Sequence, residues 1–498
     1  MLTEPIRMLS PDDMERIHAA AVRILADTGM QVESPQARDC LVKAGCRVDA
    51  AGRVRFPPPV TQTAVDRMRA DYARPDRVPA AMAVRYSHVR FRRETHRIHR
   101  DFTLSTGGFC CFIRDLEGRR RPATRDDTLR AVGMANALDQ IAYTGLPVAD
   151  QQVPAVARPA AMAGLLATYS RKFGGVEAFR VEDVPYLVEI GTIVKGSADA
   201  LRREPILVGY GEARSPLCLD RNMADIFIEY IRRGLPQTLD TMPNAGATGP
   251  VTAAGLLALA AAETLCGLVL AYAVDENAVV GMDINPSCAD MRTGVFGYGS
   301  PARWPLLAAR VQLVSEYYGC PSGVHGAKTD SCFTDVQTGI EKAATMLLPV
   351  LAGAVGIGTA GHVENAITFS PQQLVIDNEI CRAVRHLLQP IVVDATTLAL
   401  DAVAEVGPGG QFLSSAHTAE HFRDAGFLSA LFRSEPWDAA HGPAGTDLAR
   451  AAADRARELW SALPEPVLDD DRRRAVEAVV RHAARGGSGT APEAVLRS

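Results

Sequence analysis

An eightfold alternation of strand and helix patterns dominates the sequence and limits its fold more than any other feature. From about Phe102 onward, short apolar segments that end in Gly, Asn, Asp or Pro alternate with Ala-rich helical patterns, with a period of ~35 to 40 residues. The apolar segments are FTLSTGGF, IAYTGLPVAD, KFGGVEAF, ILVGYGEA, QTLDTMPNAG, AVVGMDINP, GCPSGVHGAK and AVGIGTAGHVEN. Helices are predicted to begin near Arg125, Arg158, Val181, Asp220, Thr252, Pro301, Thr334 and Ser370. Eight such units predict an α/β fold, a (β/α)8 TIM-type barrel, with an open doubly wound sheet as the alternative.

Different patterns flank these units. Residues 1–100 predict an N-terminal helical cap and strands, because LSPDDMERIHAAAVRILADTGMQV and SPQARDCLVKAG both contain a Ser-Pro helix start. The basic run RFRRETHRIHRD that follows is more typical of a solvated strand pair than of a nucleic-acid patch. We assign residues 101–390 to the barrel, a catalytic domain, residues 391–485 to a C-terminal helical extension and residues 486–498 to a flexible tail.

Composition narrows the function classes. The net charge of −5 and the pI near 6.2 argue against a nucleic-acid partner. The run AAGLLALAAAETLCGLVLAYAV approaches membrane-spanning length, but Glu263 interrupts it, so we expect a buried helix and no membrane partner. Acids near the start of the chain, where a signal peptide would be basic and then apolar, and ten scattered cysteines predict a cytoplasmic protein with reduced thiols.

The segment GIGTAG fits the G-x-G-x-x-G fingerprint of dinucleotide-binding folds. That fingerprint needs its last glycine at a helix start and an acid about 20 residues later that closes a second strand. Here His362 and Glu364 follow directly, and Asp377 falls inside a predicted helix. We therefore read these glycines as places where backbone packs tightly or approaches a ligand, and keep a nucleotide-dependent barrel enzyme as an alternative.

Histidines follow the last two predicted strands. His325 with Cys332, and His362 with Glu364, are residue types that zinc binds, but no paired spacing such as H-E-x-x-H is present. We predict no metal site. A polar, ligand-facing role and a hydrogen-bonded core role both remain open for the two histidines.

Aromatic and acidic residues lie at the predicted strand ends. The aromatic residues are Tyr143, Phe173, Phe179, Tyr210, Tyr298 and Phe369, and the acids are Glu177, Glu212 and Asp283. Aromatic faces with nearby carboxylates suit a cation that cannot donate a hydrogen bond, such as a quaternary ammonium. Core packing is the commoner role of any one aromatic residue, so only two or three of the set are expected to line a site.

Several dispersed blocks carry a family resemblance. MPNAGATGPVTAAG, DMRTGVFGYGSP, DVQTGIEKA, LVIDNEI and EVGPGGQFLSSAHT, with LSPDDMERIHAAAVRIL and DLEGRRRPATRDD nearer the start, resemble the trimethylamine methyltransferase superfamily. The likeness runs from about residue 8 to about residue 465. It implies a barrel that passes a methyl group from a methylated amine to cobalt(I) of a corrinoid, which a separate protein carries.

The resemblance also bears on the substrate. Members that act on trimethylamine carry pyrrolysine, whereas this chain shows only the twenty standard residues. The likeness is therefore to the non-pyrrolysine branch, which implies a quaternary amine such as glycine betaine or a related betaine. A quaternary nitrogen leaves as a neutral amine, so the enzyme has to supply position and desolvation.

These expectations give the candidate site and partners. The predicted substrate-binding residues are Tyr143, Glu177, Tyr210, Asp283, His325, Lys328, His362, Glu364 and Phe369. The predicted corrinoid-facing residues are Asn244, Gly246, Thr248 and Tyr298, on the view that small side chains leave room for the flat ring; tight loop packing is the other reading. We expect a corrinoid protein partner, no cofactor bound by the chain itself and a possible homo-oligomer, with a non-catalytic module that binds the betaine or the corrinoid protein as a further alternative.

Overall fold

A computed structural model of the chain describes residues 4–74, 83–84, 89–90, 97–108, 110–207, 209–440 and 447–486. The fold is α/β. Its α-helices are Pro11–Arg23, Pro35–Lys43, Pro58–Tyr72, Arg125–Ala137, Arg158–Tyr169, Val184–Lys195, Ala198–Arg203, Arg221–Arg232, Ala253–Val274, Trp304–Gln312, Val336–Leu351, Pro371–Leu387, Ala395–Leu398, Leu400–Val406, Ala416–Ala425, Trp437–Ala440, Leu448–Ser461 and Asp470–Ala484. Its strands are Gln31–Val32, Arg47–Val48, Val54–Arg55, Ala83–Val84, Val89–Arg90, Thr103–Ser105, Phe112–Arg114, Arg120–Pro122, Ile141–Tyr143, Gly209–Ala213, Cys218–Leu219, Gln237–Thr241, Asn244–Ala245, Val280–Met282, Ser287–Ala289, Phe296–Gly297, Gly323–Val324, Gly356–Ile357, His362–Val363 and Thr368–Phe369.

Two parallel sheets form the centre of the fold. In one, the strand order is Gly323–Val324, Gly356–Ile357, Thr103–Ser105 and Ile141–Tyr143. An isolated parallel bridge from Thr144 to Phe173 extends this sheet. In the other, the order is Gly209–Ala213, Gln237–Thr241 and Val280–Met282. All eight predicted strand segments thus contain a parallel strand or bridge, but among the described residues the ladders form two sheets and no closed ring.

Helices begin where the sequence predicts them. Thr124 forms a capping box with Asp127, and the side chains of Asp220, Asp335 and Ser370 each accept a hydrogen bond from a first-turn N–H. The third and sixth helices differ in detail, because each starts as a 3₁₀ turn, at Val181–Asp183 and Pro301–Arg303. A proline lies just after the first of these turns, and another begins the second. Each supplies the fixed φ that the first turn of a helix needs.

The flanking helices pack on the outside of the helix layer. Apolar faces of Pro11–Arg23, Pro35–Lys43 and Pro58–Tyr72 share one core cluster with Ala253–Val274. Near the other end of the chain, the helix Leu448–Ser461 packs in a second hydrophobic cluster. That cluster also contains Leu104 and Ile357, which belong to strands of the first sheet. The predicted cap and extension are therefore helical. Residues 91–96 of the basic run and residues 487–498 of the predicted tail lie outside the described residues, and the domain boundaries stay predictions.

The helix Ala253–Val274 is a core element. It is the one described helix long and apolar enough to cross a membrane, with a mean hydropathy of 2.0, and 83% of that apolar window is buried. Glu263 lies in its middle, fully buried, and accepts hydrogen bonds from the Thr241 hydroxyl, from Ser215 Oγ at 2.7 Å and from Leu217 N at 2.7 Å. The carboxyl group therefore ties this helix to the end of the strand Gln237–Thr241.

We expect Glu263→Ala to lower the free energy of unfolding by about 2 to 4 kcal/mol, because one buried donor and two half-buried donors lose their acceptor. Chemical denaturation measures the change. As a control, Glu276→Ala removes a carboxylate whose side chain is 76% exposed and should change stability by less than about 0.5 kcal/mol. A wild-type midpoint for Glu263→Ala would contradict the assigned role.

Candidate functional site

A buried network of acids and arginine joins residues in or next to three strands, Gln237–Thr241, Val280–Met282 and Gly323–Val324. Arg310, fully buried on the helix Trp304–Gln312, forms an ion pair with Asp283 and donates to Asn285 Oδ1 and, at 2.9 Å, to the carbonyl of Gly323. Asn285 Nδ2 in turn lies 2.7 Å and 2.9 Å from the two carboxylate oxygens of Asp240. His325 Nε2 lies 3.9 Å from Asp240 Oδ2. The network places two carboxyl groups at one end of the sheets.

Burial shifts the pKa of these acids. It raises the pKa of Asp240 well above its usual value, and the carboxylates of Asp283 and Glu212 raise it further, against the opposing effect of Arg310. Burial also raises the pKa of Asp283, although the Arg310 charge and hydrogen bond act in the other direction. Asp283 is thus paired with a cation of the chain itself, whereas a cation that approached Asp240 on its far side from Arg310 would favour the ionised form of Asp240.

A second acidic pair comes from the third and fourth units. Burial raises the pKa of Glu177 to about 8, and the neighbouring Glu212 carboxylate adds to the shift. Glu212 lies in the strand Gly209–Ala213, next to Asp240 on the strand Gln237–Thr241. The acids thus continue around the same edge of the sheets.

Lys328 brings the opposite charge to this edge. It is only 5% exposed, and its Nζ lies 3.9 Å from the centroid of the Tyr298 ring. Burial and the Arg303 charge lower the pKa of Lys328 to about 7, whereas Asp240, Cys110 and Glu212 act to raise it. Near neutral pH, this amine is therefore divided between its charged and neutral forms and would gain a proton beside an anion.

A buried ion pair fixes the two loops that carry Lys328 and His362. Lys342 Nζ lies 2.6 Å from Asp377 Oδ2, and both side chains are fully buried. Lys342 Nζ donates to the carbonyl of Ala327 at 2.7 Å, and Asp377 Oδ2 accepts from Gly361 N at 2.6 Å. Each contact falls on the residue just before a candidate site residue. Ala327 also has φ +50°, a costly left-handed conformation, which the pair helps to hold.

The loop after the strand Gln237–Thr241 folds on its own polar groups. The Asn244 carbonyl accepts from the amides of Ala247, Thr248 and Gly249, each at 3.0 Å, and Thr248 Oγ1 accepts from Asn244 N at 2.9 Å. Gly246 has φ +82°, and a Cβ there would lie 2.8 Å from Met291 Sδ. Asn244 and Thr248 therefore shape the loop, while Gly246 and Ala247 form its exposed tip.

One group of His, Cys, Asp and Glu side chains in the described part of the chain has metal-like spacing. Asp240, Asp283 and His325 offer ligand atoms within 4.8 Å of one another, so His325 lies with two acids rather than with Cys332. Arg310 already neutralises Asp283, and Asn285 already donates to Asp240. A divalent cation would have to sit beside a guanidinium, which disfavours it. The absence of a metal site stays a prediction.

The GIGTAG segment does not form a phosphate cradle. Its first two residues are the strand Gly356–Ile357, but no helix begins until Pro371. The amide of Gly361 donates to the Asp377 carboxylate, which would repel a phosphate. A Cβ on Gly361 would lie 2.6 Å from Phe369, so this glycine permits close packing. The geometry removes the support for the nucleotide alternative.

Comparisons with known proteins identify the family of this chain. A family profile described as trimethylamine methyltransferase (MTTB) matches residues 2–487. The chain belongs to the trimethylamine methyltransferase family. It is 29% identical to the trimethylamine methyltransferase MttB of Methanosarcina barkeri over 422 residues, 83% of each chain. It is also 29% identical to the trimethylamine methyltransferase MttB of Desulfitobacterium hafniense strain DSM 10664 / DCB-2, over 92% of this chain and 90% of the relative. It is 27% identical to the glycine betaine methyltransferase of Desulfitobacterium hafniense strain Y51, over 86% and 88%.

This methyltransferase brings part of the predicted site together. Asp283 and His325 lie in the acid–arginine network, Glu177 adjoins Glu212, and Lys328 lies against Tyr298. Tyr298, predicted to face a corrinoid, is thus placed with a predicted substrate-binding residue. Its backbone amide is held by Asp330 Oδ1 at 2.6 Å.

Two other predicted residues, Phe369 and Glu364, lie elsewhere. Phe369 is fully buried in the hydrophobic core against Gly361. Glu364 accepts from Arg120 Nε at 2.7 Å near the surface. His362 is 1% exposed beside Gly108. Tyr143 ends the strand Ile141–Tyr143, and for Tyr210 only the strand, not the side chain, is described.

Sequence reasoning missed the residues that organise this methyltransferase's acidic centre. Asp240, Asn285 and Arg310 are all fully buried and joined in one network. A signal was present: LDT and MDIN each place a polar residue directly after an apolar strand, and Arg310 interrupts the apolar run PLLAARVQLV. A charge in such a run requires a buried partner, which one sequence cannot identify.

The lowered pKa of Lys328 predicts a pH dependence of stability. Between about pH 7 and the ordinary lysine value near 10.4, the unfolded state holds a proton that the folded state has lost, so stability rises with pH. The gain is at most about 1.4 kcal/mol per pH unit. We expect Lys328→Met to remove this rise, whereas Lys43→Met, an exposed lysine, should keep it. Denaturation midpoints of the three proteins across this range test the expectation; parallel curves for wild type and Lys328→Met would contradict it.

Proposed function

We propose that this methyltransferase acts in the cytoplasm on a quaternary amine that also carries a carboxylate, a betaine, and passes its methyl group to cobalt(I) of a corrinoid held by a separate protein. Membership of the family and the likeness to a glycine betaine methyltransferase support the reaction class. The observation that carries the substrate class is that the buried Lys328, whose Nζ lies 3.9 Å from the centroid of the Tyr298 ring, is also within reach of the charges of Asp240 and Glu212. A zwitterion matches both signs of charge.

The acidic side suits the ammonium group. Four carboxyl groups lie on this side: Asp240 and Asp283 in the network, and Glu177 and Glu212 beside it. Burial raises the pKa of Asp240, Asp283 and Glu177, and the charge of Glu212 raises the pKa of Glu177 and Asp240 further. A bound trimethylammonium group would lower those values again and so favour the charged acids. Such a group donates no hydrogen bond, so Coulomb attraction and ring faces have to hold it.

The basic side suits the carboxylate group. Lys328 is buried, and a carboxylate near its Nζ would raise its pKa and hold the charged form. His325, three residues before Lys328 in the seventh unit, has its Nε2 3.9 Å from Asp240 Oδ2 and is the second donor. His362, which follows Gly361 at the Asp377 anchor, is the third. Because Asp377 and Lys342 hold both loops, these donors are fixed before the substrate arrives.

The chemistry asks for position rather than for acid catalysis. The breaking C–N bond leaves its electron pair on nitrogen, so the product is a neutral tertiary amine that needs no proton. The corrinoid supplies cobalt(I) as the nucleophile. What the chain has to do is point the methyl group outward and exclude water, which the buried acids and Lys328 achieve by binding the rest of the molecule.

The rim has room for a flat ring. The loop tip at Gly246 and Ala247 carries almost no side chain and is exposed. Its fold depends on hydrogen bonds to the Asn244 carbonyl, and the exposed side chain of Met291 lies beside Gly246. We propose that the corrinoid of the partner lies against this tip, and that the two parallel sheets are parts of one closed eight-stranded barrel. The bridge from Thr144 to Phe173 and the Arg310 contacts to Asp283 and Gly323 support that closure.

We expect Lys328→Met to weaken glycine betaine binding by roughly 10- to 100-fold, the effect of losing a charge-assisted hydrogen bond. Tetramethylammonium, which lacks the carboxylate, should bind the variant and the wild type equally. Isothermal titration measures both, and the absorbance of a corrinoid protein reduced to cobalt(I) reports methyl transfer. Failure of every quaternary amine to bind would contradict the substrate class. Binding without transfer to any corrinoid protein would instead favour a module that has lost turnover.

The loop tip can be tested without backbone strain. Gly246 has φ +82°, so any side chain there is strained, but Ala247 is exposed and has no such restriction. We expect Ala247→Leu to keep the melting temperature and betaine affinity while methyl transfer falls about a hundredfold, since a displacement of ~1 Å disturbs in-line attack. Val251→Ala, also at an exposed position of this rim, serves as the control. A wild-type transfer rate in Ala247→Leu would exclude this contact.

A further inference from the structure

The C-terminal extension contains an arm that makes little contact with the rest of its own chain. We define the arm as residues 391–426, which follow the helix Pro371–Leu387. Its helices are Ala395–Leu398, Leu400–Val406 and Ala416–Ala425, and none of them has a buried residue. Hydrogen bonds within the arm shape it, for example from Gly407 N to Val403 O and from Thr397 N to Asp394 Oδ1.

The arm is nevertheless rich in large apolar side chains. Leu413 is 83% exposed, Ile391 82% and Leu400 68%, and none of these residues belongs to a hydrophobic core cluster. The full set of exposed large apolar residues in the arm is Ile391, Val392, Val393, Leu398, Leu400, Val403, Phe412, Leu413 and Phe422. Nine exposed large apolar side chains in one short segment are more than scattered surface residues and are typical of an interaction site.

Helices of this length need a partner surface. The three helices have 4, 7 and 10 residues. Isolated helices shorter than about 12 residues are marginal in water, so packing of an apolar face has to stabilise them. The chain does anchor itself again directly after the arm, where Ser429 hydrogen-bonds to Glu379 and Leu431 is buried. The arm is thus a loop with a fixed start and end and an apolar middle that its own chain leaves exposed.

A matching apolar groove lies next to the start of the arm. It has a volume of about 600 Å³ and runs between the helices Val336–Leu351 and Pro371–Leu387. Its walls include Ala343, Leu347, Ile376, Ile380, Val384 and Leu387. Leu387, at the helix end from which the arm departs, is 51% exposed. The groove and the arm therefore lie on the same side of the molecule.

We propose that the arm of one copy fills this groove of a second copy, and that the exchange is reciprocal across a two-fold axis. Because the groove adjoins the start of the arm, a two-fold axis there brings each arm to the other copy's groove and closes the assembly as a dimer. The nine apolar side chains present on the order of 800 Å² per arm, about what one partner contributes to a stable interface. A corrinoid protein that binds and leaves in each turnover would not keep so apolar a surface covered between visits.

The groove also reaches the rim of the proposed active site. Asp335 and Val336, at the start of the seventh helix, line it, and Val336 is 80% exposed. This helix carries Lys342, which holds the loop before Lys328. The arm of the second copy would cover this helix start, so dimer formation and the order of the site are linked.

The test is sedimentation equilibrium of the full chain from nanomolar to micromolar concentration. We expect a dimer, and we expect Leu400→Glu with Leu413→Glu to raise its dissociation constant by roughly 30-fold or more, as loss of two interface anchors should. Both side chains are exposed within one copy, so the melting temperature of the monomer should not change. Val48→Glu with Val156→Glu, exposed apolar residues far from the arm in sequence, is the matched control and should stay dimeric.

A cross-link identifies the occupant of the groove. A photoreactive phenylalanine in place of Phe412, in a mixture of isotope-labelled and unlabelled copies, should give hybrid cross-links to peptides of the helices Val336–Leu351 or Pro371–Leu387. A monomeric wild type, a dimer that survives the Leu400 and Leu413 changes, or cross-links confined to one copy would each overturn the proposal. None of these measurements needs the amine or the corrinoid protein, so the outcome is independent of the proposed reaction.

Discussion

The fully buried guanidinium of Arg310 is the constraint on which the site depends. A charge removed from water costs several kcal/mol unless it is paired and hydrogen-bonded. Arg310 meets that requirement with the Asp283 carboxylate, the Asn285 side chain and the Gly323 carbonyl. These groups belong to the ends of two strands that no ladder joins, so the arginine fixes one strand end against the next. Asn285 then donates a hydrogen bond to Asp240. The positions of both acids of the network, Asp283 and Asp240, therefore depend on Arg310.

The same physical solution recurs one step further around the molecule. Lys342 and Asp377 are both buried, and each uses its remaining hydrogen-bonding capacity on the backbone of an adjacent loop. Removal of one partner would leave the other charge buried and alone, which is far costlier than the loss of an exposed pair. Rigid loops are useful here because binding energy is then not spent on ordering Lys328 and His362. Electrostatics thus connects the stability of the seventh and eighth units with the proposed recognition of a carboxylate.

Burial explains why the site can respond to its ligand. Lys328, with its pKa near 7, and Glu177, with its pKa raised to about 8, are held close to the point at which a neighbouring charge decides their protonation, and burial also raises the pKa of Asp240. A zwitterionic ligand would shift the lysine and the acids in opposite directions, each toward its charged form. At the outer surface, the apolar side chains of the arm are not covered by their own chain. We propose that another molecule covers them.

The sequence by itself determined the elements and their order. Strand ends, helix caps such as Ser370 and Asp335, and the three N-terminal helices follow from local rules of periodicity and capping, which act over a few residues. It also determined the family, because whole blocks are similar. For the site it located residues at strand ends, and Asp283, His325 and Lys328 do lie there. It could not separate Lys328 from Phe369, since both follow predicted strands, yet one lies against Tyr298 and the other is packed in the core.

Only the tertiary structure decided which charges pair. Asp240, Asn285 and Arg310 are distant in sequence, and partners of a buried charge are set by how sheets and helices pack, not by local spacing. The tertiary structure likewise decided that the amide of the last glycine of GIGTAG donates a hydrogen bond to the buried Asp377 carboxylate. It also decided that the apolar side chains of the arm stay exposed within one copy of the chain. Local patterns encode which face of an element is apolar; which surface that face meets depends on every other element, and this information is not local in the chain.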